Sequence, residues 1–357
     1  MESTGRGDAQ IVRSRVRFPG ISSRAYEHPA DRGALTTLRS VPGFPAVLKA
    51  VSGAFTERGE RLYMLGSAVR VGPKQYPELH QLRADCCAVL DIDPIPDMFV
   101  MRHPVANGMA LGLDSPFVVL TTGLVDLLDT ESLRVAIGHE LGHVLSGHAL
   151  YRTLLFRLIN LMQGMQWLPV GYWGLRVIVA ALKEWYRKAE LSADRAGLLC
   201  SQDPAAALRG HVLMAGAVSL GDVDTAEFLR QASDYESGGD VRDSVLKLIN
   251  VIDDTHPLSV VRAAELQRWA ASEEYRAILT GDYPRRDTEQ QPHSTWTEDM
   301  KDAARSYRDS FKKSTDPLAK VLNEVGGVIS DTASKVWQGF GGRQDSERQD
   351  TEPATEE

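Results

Sequence analysis

The residues best suited to chemistry lie together in Gly138-His139-Glu140-Leu141-Gly142-His143. Two histidines at i and i+4 stand one above the other on one face of an α-helix, so both imidazoles can reach a single metal ion. Glu140 projects from the neighbouring face, placed as a general base that takes a proton from a water. A catalytic zinc site of this kind needs three protein ligands and one open position. The third is expected downstream in Glu190-Leu191-Ser192-Ala193-Asp194. Glu190 is the candidate ligand, and Asp194, one turn further along the same face, is placed to accept a hydrogen bond from the outer ring nitrogen of His139 or His143. His148 falls on the apolar side of its helix and reads as a core histidine with a hydrogen-bond partner.

The elements that must hold these groups are legible around them. Asp129 can cap the metal helix, Glu131 suits its first turn, and Leu133, Ile137, Leu141, Val144 and Leu145 form its apolar stripe. Gly138, Gly142 and Gly147 each cost about 1 kcal/mol against alanine within a helix, so a strand or a substrate is expected to pack close to this backbone. Ahead of the helix, Met98 to Met101, Met109 to Leu113 and Phe117 to Thr121 read as three short strands, separated by Asn107-Gly108 and Asp114-Ser115-Pro116. An edge strand beside a metal can hold a substrate backbone by strand addition, and Met109 to Leu111 is the nominated piece. Asn107-Gly108 also reads as a plain hairpin turn, and the two readings are compatible.

Earlier in the chain, helices are expected between Leu35 and Leu65, broken at 41–45, and from Pro77 to Leu90. After the metal helix, Leu154 to Leu182 is the most apolar region, yet the uncharged run between Arg157 and Arg176 only just reaches the roughly 18 residues of a membrane span. It reads as an amphipathic helical hairpin that roofs the cleft, rests on a membrane surface through residues 158–175 with Trp167, Tyr172 and Trp173 at the boundary, or is buried against the domain. Asp203-Pro204 starts a further helix. Near Thr255-His256-Pro257, a loop histidine and the following Arg262 could face the metal.

Among the 357 residues 43% are hydrophobic, enough for a sizeable core, and the net charge is −8. The absence of a concentrated basic stripe excludes nucleic acid as the main partner. Cys86, Cys87 and Cys200 are too few and wrongly spaced for a disulfide framework or a zinc knuckle, which fits a reducing compartment. Residues 1–32 are expected as a flexible arm without a secretory signal, 33–284 as one domain, and 285–357 as a polar tail with possible amphipathic helices beyond Met300. These features point to the cytoplasm, with possible peripheral contact at the inner face of a membrane through 158–175 or the tail.

Taken together the motifs resemble the HtpX-like and CAAX-prenyl-protease-like zinc metallopeptidases, a gluzincin family. The resemblance covers roughly Pro77 to Ala271 and rests on Asn107-Gly108-Met109-Ala110, Thr122-Gly123-Leu124-Val125, Gly138 to His148, Glu190 to Asp194 with Gly197, and His256-Pro257 with Arg262. It implies an α+β, mainly helical zincin-type domain with a small antiparallel sheet beside the metal helix. It also implies one Zn2+ held by His139, His143 and Glu190, substrate binding along Asn107, Gly108, Met109 and Ala110, and transition-state or gating roles for His256 and Arg262. Gly108 stands where the family usually has alanine, a change expected to loosen the substrate strand. The function so implied is endopeptidase cleavage of extended or unfolded polypeptide, in protein quality control. The rival reading is a zinc-stabilised holdase or adaptor whose metal site is latched by His256.

Overall fold

The computed structural model describes residues 14–39, 44, 57–164, 169–237 and 258–289. Helices α1 (Pro29–Arg39), α2 (Glu57–Ser67) and α3 (Pro77–Leu90) come first, with β1 (Val69–Arg70) between the last two. Strands β2 (Met98–Met101), β3 (Gly108–Leu111) and β4 (Phe117–Thr121) lead into α4 (Thr122–Leu127), α5 (Thr130–Leu145), α6 (His148–Gly164) and α7 (Pro169–Ser201). Helices α8 (Pro204–Met214), α9 (Thr225–Ser237), α10 (Ser259–Ala270) and α11 (Glu273–Leu279) follow, with a single turn, α12 (Arg286–Glu289), after them.

The architecture is the expected α+β, mostly helical with one small sheet, but the sheet is mixed where an antiparallel one was expected. Its order is β1-β2-β4-β3. β2 pairs with β4 in parallel, Met98 opposite Val118 and Met101 opposite Thr121, whereas β3 pairs with β4 antiparallel. The reason lies at Asn107-Gly108, which is not a hairpin turn. Gly108 is already the first residue of β3, and the tight connection is residues 112–116, between β3 and β4. The chain from residue 102 to 107 therefore crosses past β4 instead of folding β3 onto β2. β4 becomes the central strand, with all five residues buried, and β3 the edge beside the metal helix.

A second correction concerns the N-terminal arm. Residues 14–32 are packed into the domain, whose boundary therefore lies no later than residue 14. Phe18, Ile21 and Tyr26 are fully buried, and each such side chain contributes about 2 kcal/mol on leaving water. The Phe18 N–H donates to the Val89 carbonyl at 2.8 Å and the Ser22 N–H to that of Pro284 at 3.0 Å, so the segment closes over α3 and meets the last described residues. The tail from residue 290, with its expected amphipathic helices, lies outside the described residues.

The apolar region forms α6 and the first half of α7. Leu154, Leu158, Ile178 and Leu182 are buried together with Trp185 in a cluster that includes Leu38 of α1. That half of the expected hairpin is core, while the side chains of residues 161–175, including Trp167, Tyr172 and Trp173, lie outside the described residues. No described helix is long and apolar enough to cross a membrane.

The metal helix α5 starts as expected, with Asp129 Oδ1 accepting from the N–H groups of Glu131 and Ser132 at 3.0 and 2.9 Å. What packs close to its glycines is another helix, α7. A Cβ on Gly138 would lie 2.6 Å from that of Cys200, and one on Gly142 only 2.5 Å from that of Ala196. Gly197 reciprocates, since its Cβ would meet the Val135 carbonyl oxygen at 2.6 Å. The helix propensity lost at these positions is what lets the two site-bearing helices approach backbone to backbone.

Candidate active site

Close packing of α5 on α7 brings His139, His143 and Glu190 to one point. His143 Nε2 lies 3.1 Å from His139 Nε2 and 3.2 Å from Glu190 Oε1, and His139 Nε2 lies 3.5 Å from Glu190 Oε2. All three side chains are buried. Among the described residues they are the group of three that could hold a metal ion. Because a buried charge is tolerated only when paired, the electrostatics test whether a cation fits. Burial opposes a proton on His139, but Glu190 and Asp194 outweigh it and raise its pKa to about 9, while burial takes His143 down to about 3. The carboxylates around the rings thus favour a positive charge there, which a bound cation would supply. Two imidazole nitrogens and a carboxylate oxygen, converging where all three side chains are buried, form a donor set that a divalent ion satisfies.

The outer shell holds these ligands in place. Asp194 Oδ1 lies 2.9 Å from His139 Nδ1. A carboxylate only accepts, so that nitrogen carries the hydrogen and Nε2 is left with its lone pair for a metal. Arg262, delivered by α10, donates through Nε and Nη2 to Asp194 at 2.8 and 2.5 Å, and its Nη1 lies 2.9 Å from Glu190 Oε2. Burial would raise the Asp194 carboxyl, but Arg262 holds it well below the usual carboxylate range. Arg262 was expected to face the metal in a transition-state or gating role. It borders the cavity beside the ligands, and its three nitrogens reach these two carboxylates, so it orients the ligand Glu190 and the helper Asp194 together. His256 lies outside the described residues.

Glu140 is 3% exposed, with Oε1 4.0 Å from His139 Nε2. Its Oε2 has no hydrogen-bond partner among the described residues and stands 3.8 Å from Nη1 of Arg152, which lacks one as well. Arg152 is buried on α6, over the ring of Tyr186 at 4.8 Å, and its Nη2 donates to the Gly108 carbonyl at 3.2 Å. Tyr186, one turn before Glu190, stacks on His143 with ring centres 5.5 Å apart. Sequence reasoning passed over Arg152, although an arginine within an otherwise apolar helical stretch is a signal that a buried charge needs a partner.

The expected substrate strand borders the same space. The Thr121 N–H donates to the Asn107 carbonyl at 3.0 Å, and alternation along an antiparallel ladder turns the main-chain groups of Gly108 and Ala110 toward the outer edge. Met109 faces the smaller cluster around Phe99, Phe117 and Val119. At Gly108 a Cβ would stand 2.6 Å from Glu140 Oε1; its absence makes room for the carboxylate. A cavity of about 450 Å³ opens beside Asn107, Gly108, His139 and Glu140, with Leu124 and Met214 among its apolar walls. His211, also on its wall, is buried with Nδ1 unpartnered among the described residues, and burial lowers its pKa to about 4. His148 is a buried histidine with partners, touching His143 and Asp31.

Comparison with known proteins agrees with this site. Residues 73–270 match the model of peptidase family M48. The chain is 31% identical over 297 residues to the plastoglobule-localized metallopeptidase 48, chloroplastic, of Arabidopsis thaliana, covering 77% of this chain and 84% of that protein. It is 27% identical over 256 residues to a protease HtpX homolog of Moorella thermoacetica, covering 63% and 82%. No solved structure matches it. With a family model spanning both helices that carry His139, His143 and Glu190, the chain belongs to peptidase family M48 and is a metallopeptidase.

Proposed function

We propose that this protein is a zinc-dependent endopeptidase that cleaves extended or unfolded polypeptide, with one Zn2+ held by His139, His143 and Glu190. The observation that carries the reading is Glu140, buried with one oxygen unpartnered, beside a converging His-His-Glu set and an open cavity. A small divalent ion such as zinc is supported by the spacing of the donors. Ligands about 2.0–2.1 Å from one tetrahedral ion stand about 3.3 Å apart, and the three separations are 3.1, 3.2 and 3.5 Å.

When bound, zinc supplies a Lewis acid that polarises the scissile carbonyl and acidifies the attacking water. Glu140 takes the proton from that water as it attacks and passes it to the leaving amine nitrogen. Arg152 keeps a positive charge next to the Glu140 carboxylate, and through Gly108 it ties the base to the edge strand. Substrate lies extended along the outward main-chain groups of β3, whose first residue, Gly108, lines the cavity. Strand addition reads backbone rather than sequence, which suits an unfolded chain and a role in protein quality control. The Arabidopsis relative is plastoglobule-localized by name. For this chain we extend the proposal to a cytoplasmic enzyme in peripheral contact with a membrane, supported by Leu62, Tyr63 and Leu65 on α2 and Phe156 on α6, all more than half exposed.

Digestion of casein by the wild type, the chelator-treated wild type and Glu140→Gln tests the reaction. Cleavage that disappears on chelation, returns with zinc and is lost by at least 100-fold in a Glu140→Gln protein that still binds one metal is the expected result. Undiminished, chelator-sensitive cleavage by Glu140→Gln would remove Glu140 from the mechanism.

A further inference from the structure

We propose that Asp31, on the N-terminal segment, sets the tautomer and orientation of the ligand His143 through His148, and so acts as a positioning residue of the metal centre. The proposal rests on the reading of His139, His143 and Glu190 as metal ligands. The contacts are short and buried throughout. His143 Nδ1 lies 3.1 Å from His148 Nδ1, and His148 Nε2 lies 3.3 Å from Asp31 Oδ2. Asp31 is itself fully buried and doubly fixed by α7, since Trp185 Nε1 donates to Oδ1 at 2.9 Å and Ser192 Oγ to Oδ2 at 2.6 Å.

The placement of hydrogens follows from the donor and acceptor chemistry of these groups. A carboxylate only accepts, so His148 carries its hydrogen on Nε2 and keeps a lone pair on Nδ1. That lone pair can only accept from His143 Nδ1–H. The hydrogen on Nδ1 leaves His143 Nε2 with its lone pair aimed at the point shared with His139 Nε2 and Glu190 Oε1. Without a fixed acceptor at residue 31, His148 is free to carry the hydrogen on Nδ1. It then donates to His143 Nδ1, and the hydrogen of His143 is driven to Nε2, where the metal has to bind.

The two ligand histidines are thus oriented by different devices. His139 meets its carboxylate, Asp194, directly, whereas His143 meets one through an intervening imidazole. The turn between α5 and α6 builds that second device. Gly147, at φ +70°, ends α5 and lets the chain double back so that the His148 ring returns against His143. The segment that carries Asp31 is seated on both ligand helices, because the Tyr26 hydroxyl lies 3.1 Å from Ser146 Oγ and the His28 N–H donates to Ser192 Oγ at 2.9 Å.

The test is zinc affinity, measured by titrating metal-free full-length protein against a chromophoric chelator, with thermal unfolding of each metal-free form alongside. Asp31→Asn is expected to weaken zinc binding by about 10- to 100-fold, because an amide can offer a hydrogen to His148 Nε2. His148→Gln, whose carbonyl can accept from His143 without help, is expected to bind within a few-fold of wild type, and His148→Leu to lose affinity as Asp31→Asn does. Adding Asp31→Asn to His148→Gln should bring no further loss. Wild-type affinity in Asp31→Asn, or the same loss in the His148→Gln background, would overturn the relay. If Asp31→Asn does not fold, equal affinity in His148→Gln and His148→Leu overturns it instead. Failure of the wild type to bind zinc at all would overturn the metal-centre reading itself, an outcome distinct from the others.

Discussion

Gly108→Ala is the substitution in which strand, base and chemistry meet. A Cβ at residue 108 would stand 2.6 Å from Glu140 Oε1 and 3.1 Å from its Cγ and Cδ. A relaxed carbon–oxygen contact needs about 3.3 Å or more, so the carboxylate or the strand must move by roughly 0.7 Å. The Glu140 side chain cannot simply swing aside, because Arg152 stands 3.8 Å from its other oxygen and also holds the Gly108 carbonyl. A misplacement approaching 1 Å at a reacting group costs on the order of 100-fold, so kcat/KM is expected to fall by about 10- to 100-fold, equivalent to ~1.4–2.7 kcal/mol of transition-state stabilisation. Zinc affinity should stay within a few-fold of wild type, since none of the ligands is touched. Stability should change little, because the new contact opposes the roughly 0.5–1 kcal/mol that replacing glycine by alanine gains from the unfolded chain. The assay is kcat/KM on an internally quenched peptide, with metal content and unfolding midpoint measured on the same preparation. Activity within twofold of wild type would refute the reasoning, by showing that Glu140 does not work from the position next to Gly108.

Two further outcomes follow from the helix pair and its charges. Gly142→Ala places a Cβ 2.5 Å from that of Ala196; despite a helix-propensity gain of about 1 kcal/mol, overpacking of about 1–3 kcal/mol should lower the denaturant midpoint, and the displacement of α5 from α7 should weaken zinc binding through His143. The second concerns acid. Asp194 is depressed in the folded protein below its unfolded value of about 3.9, so its ionised form stabilises the fold at every pH above that value, and this contribution is withdrawn as pH falls below about 4. In metal-free protein, the stability difference between wild type and Asp194→Asn should therefore be full at pH 6 and shrink steadily below pH 4, as urea titrations at a series of pH values would read directly.

The parts of this molecule that were legible in the sequence are those that local rules specify. The i, i+4 pair of histidines, the Asp129 cap, the Asp203-Pro204 start and the i, i+4 pairing of Glu190 with Asp194 each depend on residues within one or two turns, and each occurs in the structure where expected. The three strands were also visible as short apolar runs. Their pairing was not, because alternation tells which face of a strand is buried and nothing about its neighbour; the parallel union of β2 and β4 depends on where residues 102–107 run. The N-terminal segment was misjudged for a related reason. Phe18, Ile21 and Tyr26 are few, aperiodic and set among charges, and their burial is decided by partners on α3, on α5 and near residue 284.

Non-local determination is concentrated at the site, and the buried charges account for this. Glu140, Glu190, Asp194 and Asp31 are buried carboxylates, and each must be met by a cation or a donor. Sequence spacing supplied two of the partners, His139 and His143. The others arrive from elsewhere in the chain: Arg152 from an apolar helix, Arg262 from α10, and His148 from the turn after α5. The distances also impose an order of dependence. Arg262 and Asp194 hold Glu190 and His139, whereas Asp31 and His148 hold His143, so the two halves of the ligand set are supported from opposite sides of α7 by different segments. Loss of either support leaves the other half intact, and a damaged site should therefore retain partial, weakened metal binding before it loses the metal altogether.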